Sequence, residues 1–64
     1  MLKNYFEAEK KISILRTTGE IDDQTARGFL ADIYYYGRDA EYNISKEENG
    51  EWTMKIAPLL QNVY

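Results

Sequence analysis

The side chains best suited to covalent or acid–base work are missing from this sequence, which holds no cysteine and no histidine. A general base near neutral pH is most often a histidine, and a serine or cysteine nucleophile ordinarily leans on one. Neither arrangement can be assembled here. Carboxylates remain, and three close pairs stand out: Asp22 with Asp23, Asp39 with Glu41, and Glu47 with Glu48. Two carboxylates divide into acid and base only where an enclosed site drives their pKa values apart. Asp22 and Asp23 instead precede an apolar-periodic run, where capping carboxylates belong, and "KEENGE" reads as a solvated turn. The expectation is therefore a chain that is not an enzyme. The spacing of the acids fits no calcium loop, a Cys/His zinc site is ruled out, and no glycine loop is built to cradle phosphate. The sequence implies no metal and no cofactor.

What chemistry the sequence does concentrate is aromatic, in "ADIYYYG", where Tyr34, Tyr35 and Tyr36 run into Gly37. On a helix, consecutive side chains fan out about 100° apart, so three adjacent rings cannot enter one core. One ring has to face outward. Which one depends on the elements that carry it.

Three segments follow from the periodicity. From Leu2 to Thr17, the residues Tyr5, Ala8, Ile12 and Leu15 recur at helical spacing, and Leu2, Phe6 and Ile14 widen that stripe. Glu7 and Lys11 form an i,i+4 pair in the favourable order, and Gly19 is placed to end the helix in a left-handed conformation. A second helix starts at "IDDQTA", with Asp22 as N-cap, Asp23 in the first turn, and Ile21 packing on Ala26 as a staple. It runs to Tyr36, and Gly37 stops it. The short link between the two favours an antiparallel helical hairpin.

The third segment, Ala40 to Ala57, alternates as two strands. Tyr42 and Ile44 share one face of the first, and Trp52, Met54 and Ile56 one face of the second. A two-residue Asn49-Gly50 turn would put these apolar sets on opposite faces. A three-residue loop, Glu48-Asn49-Gly50, pairs Ile44 with Met54 and Tyr42 with Ile56, with Gly50 left-handed. Pro58 ends the second strand, and "LLQNVY" is either a helical turn or an apolar tail. The fold class expected is α+β, an antiparallel helical hairpin packed on a C-terminal two-stranded β-hairpin in the order α-α-β-β, as one small domain over residues 1–64.

On the second helix the core stripe is Ala26, Phe29, Leu30, Ile33 and Gly37. Tyr34 and Tyr36 then flank it, half buried, and Tyr35 points directly away. Gln24, Gly28 and Ala31 share the face of Tyr35, a lane of small residues ending in an aromatic ring. Gly28 inside a helix costs about 1 kcal/mol relative to alanine, which calls for a packing reason. One reason is a second protein surface approaching closely, with Tyr35 as its anchor. The other is internal: the first helix packs on the lane and Tyr35 caps the core. The exposure of Tyr35 separates the two.

Bulk composition completes the reading. The chain is 44% hydrophobic with a formal charge of −3, the balance of a folded, mildly acidic protein. That charge gives no help toward phosphate backbones or anionic lipid, and no apolar run is long enough to span a membrane. "MLKNYFEAEKK" lacks the apolar block of a secretory signal, and the absence of cysteine fits a reducing cytoplasm.

The sequence thus points to a small cytoplasmic interaction module, a regulator or inhibitor that binds a larger protein or itself as a homo-oligomer. Its expected contact residues are Gly28, Ala31, Tyr34, Tyr35 and Tyr36, with Val63 and Tyr64 of the apolar tail as second choices. The alternative is a compact winged-helix-like DNA binder. In that case Lys10, Lys11, Arg16, Arg27 and Arg38 must converge on one face. Against it, Asp22 and Asp23 open the would-be recognition helix, and the would-be wing tip is acidic. A third reading, imitation of nucleic acid, would use an acidic strip of Asp32, Asp39, Glu41, Glu47, Glu48 and Glu51.

Overall fold

Helix α1 spans Tyr5–Thr18 and α2 spans Asp23–Tyr36; a single 3₁₀ turn, Gly37–Asp39, leads into strands β1, Ala40–Lys46, and β2, Trp52–Pro58. The structure, a computed structural model, describes residues 4–58. The α-α-β-β order and the packing of the helices on an antiparallel β-hairpin agree with the expectation from sequence.

Each boundary has a local cause. Helix α1 begins at Tyr5 rather than Leu2 because Asn4 is an extended N-cap, its side-chain oxygen accepting the Glu7 N–H at 2.9 Å. Leu2 itself lies outside the described residues. Helix α1 ends one residue later than expected, and Gly19 at φ 85° closes it. The Gly19 N–H donates to the Arg16 carbonyl at 3.2 Å and the Glu20 N–H to the Leu15 carbonyl at 2.9 Å. This double return satisfies carbonyls that a helix end leaves unpaired. Asp22 caps α2 by accepting the Thr25 N–H at 2.8 Å, and Ile21 and Ala26, the staple pair, are both buried. At the other end Gly37 adopts φ 59°, ψ −133°, a conformation open essentially to glycine alone.

The β-hairpin has the expected register, with Tyr42 opposite Ile56 and Ile44 opposite Met54. Its three-residue loop is closed by the Glu47 N–H on the Glu51 carbonyl at 2.7 Å and the Gly50 N–H on the Glu47 carbonyl at 2.9 Å, with Gly50 at φ 90°. The Asn49 side chain accepts the Glu51 N–H at 2.9 Å and fixes the turn.

The core joins Ala8, Ile12 and Leu15 of α1, Ala26 and Ile33 of α2, and Ala40, Tyr42 and Ile44 of β1. Each large apolar side chain enclosed here contributes about 1.5–3 kcal/mol relative to leaving it in water. Two members of the expected α1 stripe do not join it: Phe6 is 65% and Ile14 54% exposed. Both lie on the far side of α1 from Ala8 and Ile12, so one helix width cannot bury both sets. The pair Glu7–Lys11 also gives way, since the Lys11 ammonium sits 5.6 Å from the centre of the Trp52 ring. A cation over an indole face is the stronger contact.

Candidate functional site

Gln24, Gly28, Ala31 and Tyr35 all lie on the solvent side of α2. Tyr35 is 83% exposed, which removes the internal reading of the lane: α1 packs on the opposite side of α2, against Ala26 and Ile33. A Cβ added at Gly28 would meet nothing within 4 Å. The glycine therefore makes room for no other part of the described chain.

The three tyrosines separate as the wheel requires, with one correction. Tyr36 is half-buried against the core, whereas Tyr34, expected to be half-buried too, is 67% exposed. Its hydroxyl donates to a Glu9 carboxylate oxygen at 2.9 Å. That hydrogen bond draws the ring outward across α1 and, together with the Glu9 charge, pushes the Tyr34 phenol above its ordinary pKa. The Tyr35 and Tyr36 rings meet edge to face, centroids 5.0 Å apart at 87°. Tyr36 is anchored in the core, so this contact steadies the exposed ring beside it. The structure brings Gly28, Ala31, Tyr34 and Tyr35 together on one exposed side of α2, with Tyr36 at its margin. Tyr64 and Val63 lie outside the described residues.

The charged residues are distributed otherwise. Asp23 takes Arg16 at 3.3 Å and Arg27 at 2.9 Å. Arg38 lies over the Tyr5 ring at 5.6 Å and donates to the Tyr5 hydroxyl at 3.4 Å, which raises the guanidinium pKa further. Lys11 is at Trp52. Four of the five cations named for DNA binding are thus engaged with local partners, and the fifth, Lys10, lines an open groove on α1.

Several of the acids are also occupied locally. Asp22 is held below the usual carboxylate range by its cap to Thr25. Glu20 accepts the Trp52 indole N–H at 3.3 Å, and Glu47 accepts the Thr53 hydroxyl at 2.8 Å. Between the α1–α2 turn and the hairpin tip lies an open cleft of about 330 Å³, where Glu20, Asp22 and Glu51 surround Ile21 and Trp52. Among the described residues, no group of three acidic side chains is placed to hold a metal ion, and no helix is long and apolar enough to cross a membrane.

Two functional-side features escaped sequence reasoning. The Asn4 cap had a signal, an Asn followed three residues on by Glu7. The Glu9–Tyr34 bond had none, because it depends on how the two helices cross. No family model matches the chain, and neither a search of curated proteins nor a search of solved structures returns a match.

Proposed function

We propose that the chain is a protein–protein interaction module without enzymatic activity, a cytoplasmic regulator or inhibitor acting through the outer face of α2. The observation that carries this reading is the combination of an 83% exposed Tyr35 with a Gly28 that has open space around it. A helix-interior glycine costs about 1 kcal/mol relative to alanine. With no neighbour among the described residues to explain it, the cost is offset by a partner whose backbone approaches the helix closely there. Tyrosine anchors such contacts well, because it brings large area with few rotatable bonds and keeps a polar tip. Ala31 leaves the approach clear between the two.

The test is affinity capture with the wild-type chain and two variants, Gly28→Leu and Tyr35→Glu, each first shown to keep the wild-type circular dichroism and melting point. A charge change at the hairpin tip, Glu48→Lys, is the control. Loss of the same bound protein by both helix variants, with retention by the control, is the expected outcome. A partner held equally by all four chains would place the contact elsewhere and end this reading.

A further inference from the structure

The two strands of the hairpin are covered unequally. Closure of the loop by the Glu47 N–H on the Glu51 carbonyl makes that pair hydrogen-bonded. Alternation along an antiparallel ladder then turns the backbone N–H and C=O groups of Ala40, Tyr42 and Ile44 away from β2, and those of Trp52, Met54 and Ile56 away from β1. On β1 these residues are buried whole, backbone included. On β2 all three are only half-buried. Among the described residues the sheet has two strands, and no backbone group is hydrogen-bonded to the outer edge of β2. An unpaired edge with an apolar row beside it is a template for another strand, and a two-stranded sheet alone is marginal.

We propose that this edge pairs with a second copy of the same chain, β2 against β2 about a two-fold axis at Met54, giving a four-stranded antiparallel sheet. The pattern of β2 is complementary to itself in that register. Trp52 faces Ile56 of the second copy, Met54 faces Met54, Thr53 faces Lys55 and Glu51 faces Ala57, so no like charges are directly opposed. All three outward residues carry the N–H the new ladder needs. Pro58, which has none, falls opposite Gly50 at its end.

Helix α1 extends the match. Glu7, Lys10, Lys11, Ile14 and Leu15 line an open groove on it. Lys11 lies at the Trp52 end of the sheet, and Tyr5, through Arg38, at the end where Ala40 pairs with Pro58. A two-fold at Met54 reverses this order in the second copy. The lysines of one groove then confront the Glu7 end of the other, opposite charge to opposite charge. The outer face of α2 stays free in both copies, so this association is independent of the function proposed above.

The experiment uses the purified full chain. Sedimentation equilibrium from micromolar to millimolar concentration gives the mass, and amide hydrogen exchange by NMR gives the surface. The expected result is a dimer in which the Trp52, Met54 and Ile56 amides become protected as concentration rises, while Thr53, Lys55 and Ala57 are protected throughout. A chain of this length can be made by synthesis with an N-methyl group on Met54, which removes the outward donor and keeps the side chain. It should dimerise about tenfold more weakly or worse and melt as the dilute wild type does. Three results overturn the proposal: a monomer over the whole range, a dimer whose Met54 amide exchanges as freely as in dilute solution, or a dimer that Tyr35→Glu abolishes and N-methylation does not.

Discussion

Tyr42 and Tyr35 are the same side chain placed on opposite sides of one helix. Tyr42 enters from β1 and is fully enclosed, its hydroxyl donating to the Gly37 carbonyl at 2.8 Å with the Ile33 carbonyl 3.4 Å away. It fills the space under α2 and also satisfies a carbonyl that the helix end leaves without a partner. Tyr35 stands clear of the surface and touches Tyr36 alone among aromatic rings of the described residues. The difference teaches where each kind of constraint acts. An enclosed ring with a satisfied hydroxyl holds the fold, and an exposed ring held only at its edge is free to serve a contact.

The widest gap between the two sites should appear on truncation. Tyr42→Ala empties the junction of α2 and β1 and should cost about 3–5 kcal/mol, as large aromatic-to-alanine changes in cores do. Urea denaturation measures it, and a loss below about 1 kcal/mol would mean that the ring is not central to the core. Tyr42→Phe is subtler. It leaves the Gly37 carbonyl without its donor and should cost about 1 kcal/mol.

The same variant isolates a pH effect. Burial first, then the nearby Asp32 and Asp39 charges, push the Tyr42 phenol above its ordinary value of 10.0. Its folded pKa is therefore higher than its unfolded one. The stability it contributes is whole below pH 10 and drains as the pH climbs through the folded value. Melting points taken above pH 10 should fall more steeply for wild type than for Tyr42→Phe, and parallel slopes would refute the assignment.

On the outer face the signs change. Gly28→Ala should stabilise the chain by up to about 1 kcal/mol, since no described residue stands near the added methyl group. Destabilisation there would reveal a neighbour that the structure does not place. Tyr35→Ala should change folding by less than about 0.5 kcal/mol, the usual range for an exposed position. A larger loss would make Tyr35 a structural residue and erase the contrast with Tyr42.

Much of this contrast was legible in the sequence. The 3.6-residue period placed Tyr35 opposite Ile33, and the two-residue period put Tyr42 and Ile44 on one strand face, so both fates followed from pattern alone. The hairpin loop was legible because only one loop length kept both apolar sets together. Tyr34 was not. Its angle on the wheel predicted a half-buried ring, and a hydrogen bond to a residue of the other helix moved it outward. Phe6 and Ile14 failed for a related reason: an apolar residue raises the expectation of burial, but the area actually available is set by how many elements surround the helix. The unequal cover of β1 and β2 was equally hidden, since the two strands have similar patterns and only the packing of α1 and the end of α2 on β1 distinguishes them.

The three glycines at positive φ, Gly19, Gly37 and Gly50, sit at the three junctions between elements. In kinetic terms they divide the chain into two hairpins, one helical and one β, each closed by a turn that brings sequence neighbours together. Loop closure for both is short, and its entropic cost grows only slowly with length. The step that spans a long separation is the docking of α1 on β1, where Ile12 and Leu15 join Tyr42 and Ile44 in the core. Folding should therefore be fast for a domain containing a sheet, with its barrier at that docking. In a chevron analysis Ala26→Gly, within the helical hairpin that forms before docking, should mainly slow refolding, while Ile12→Val, whose contacts are completed by docking, should also speed unfolding.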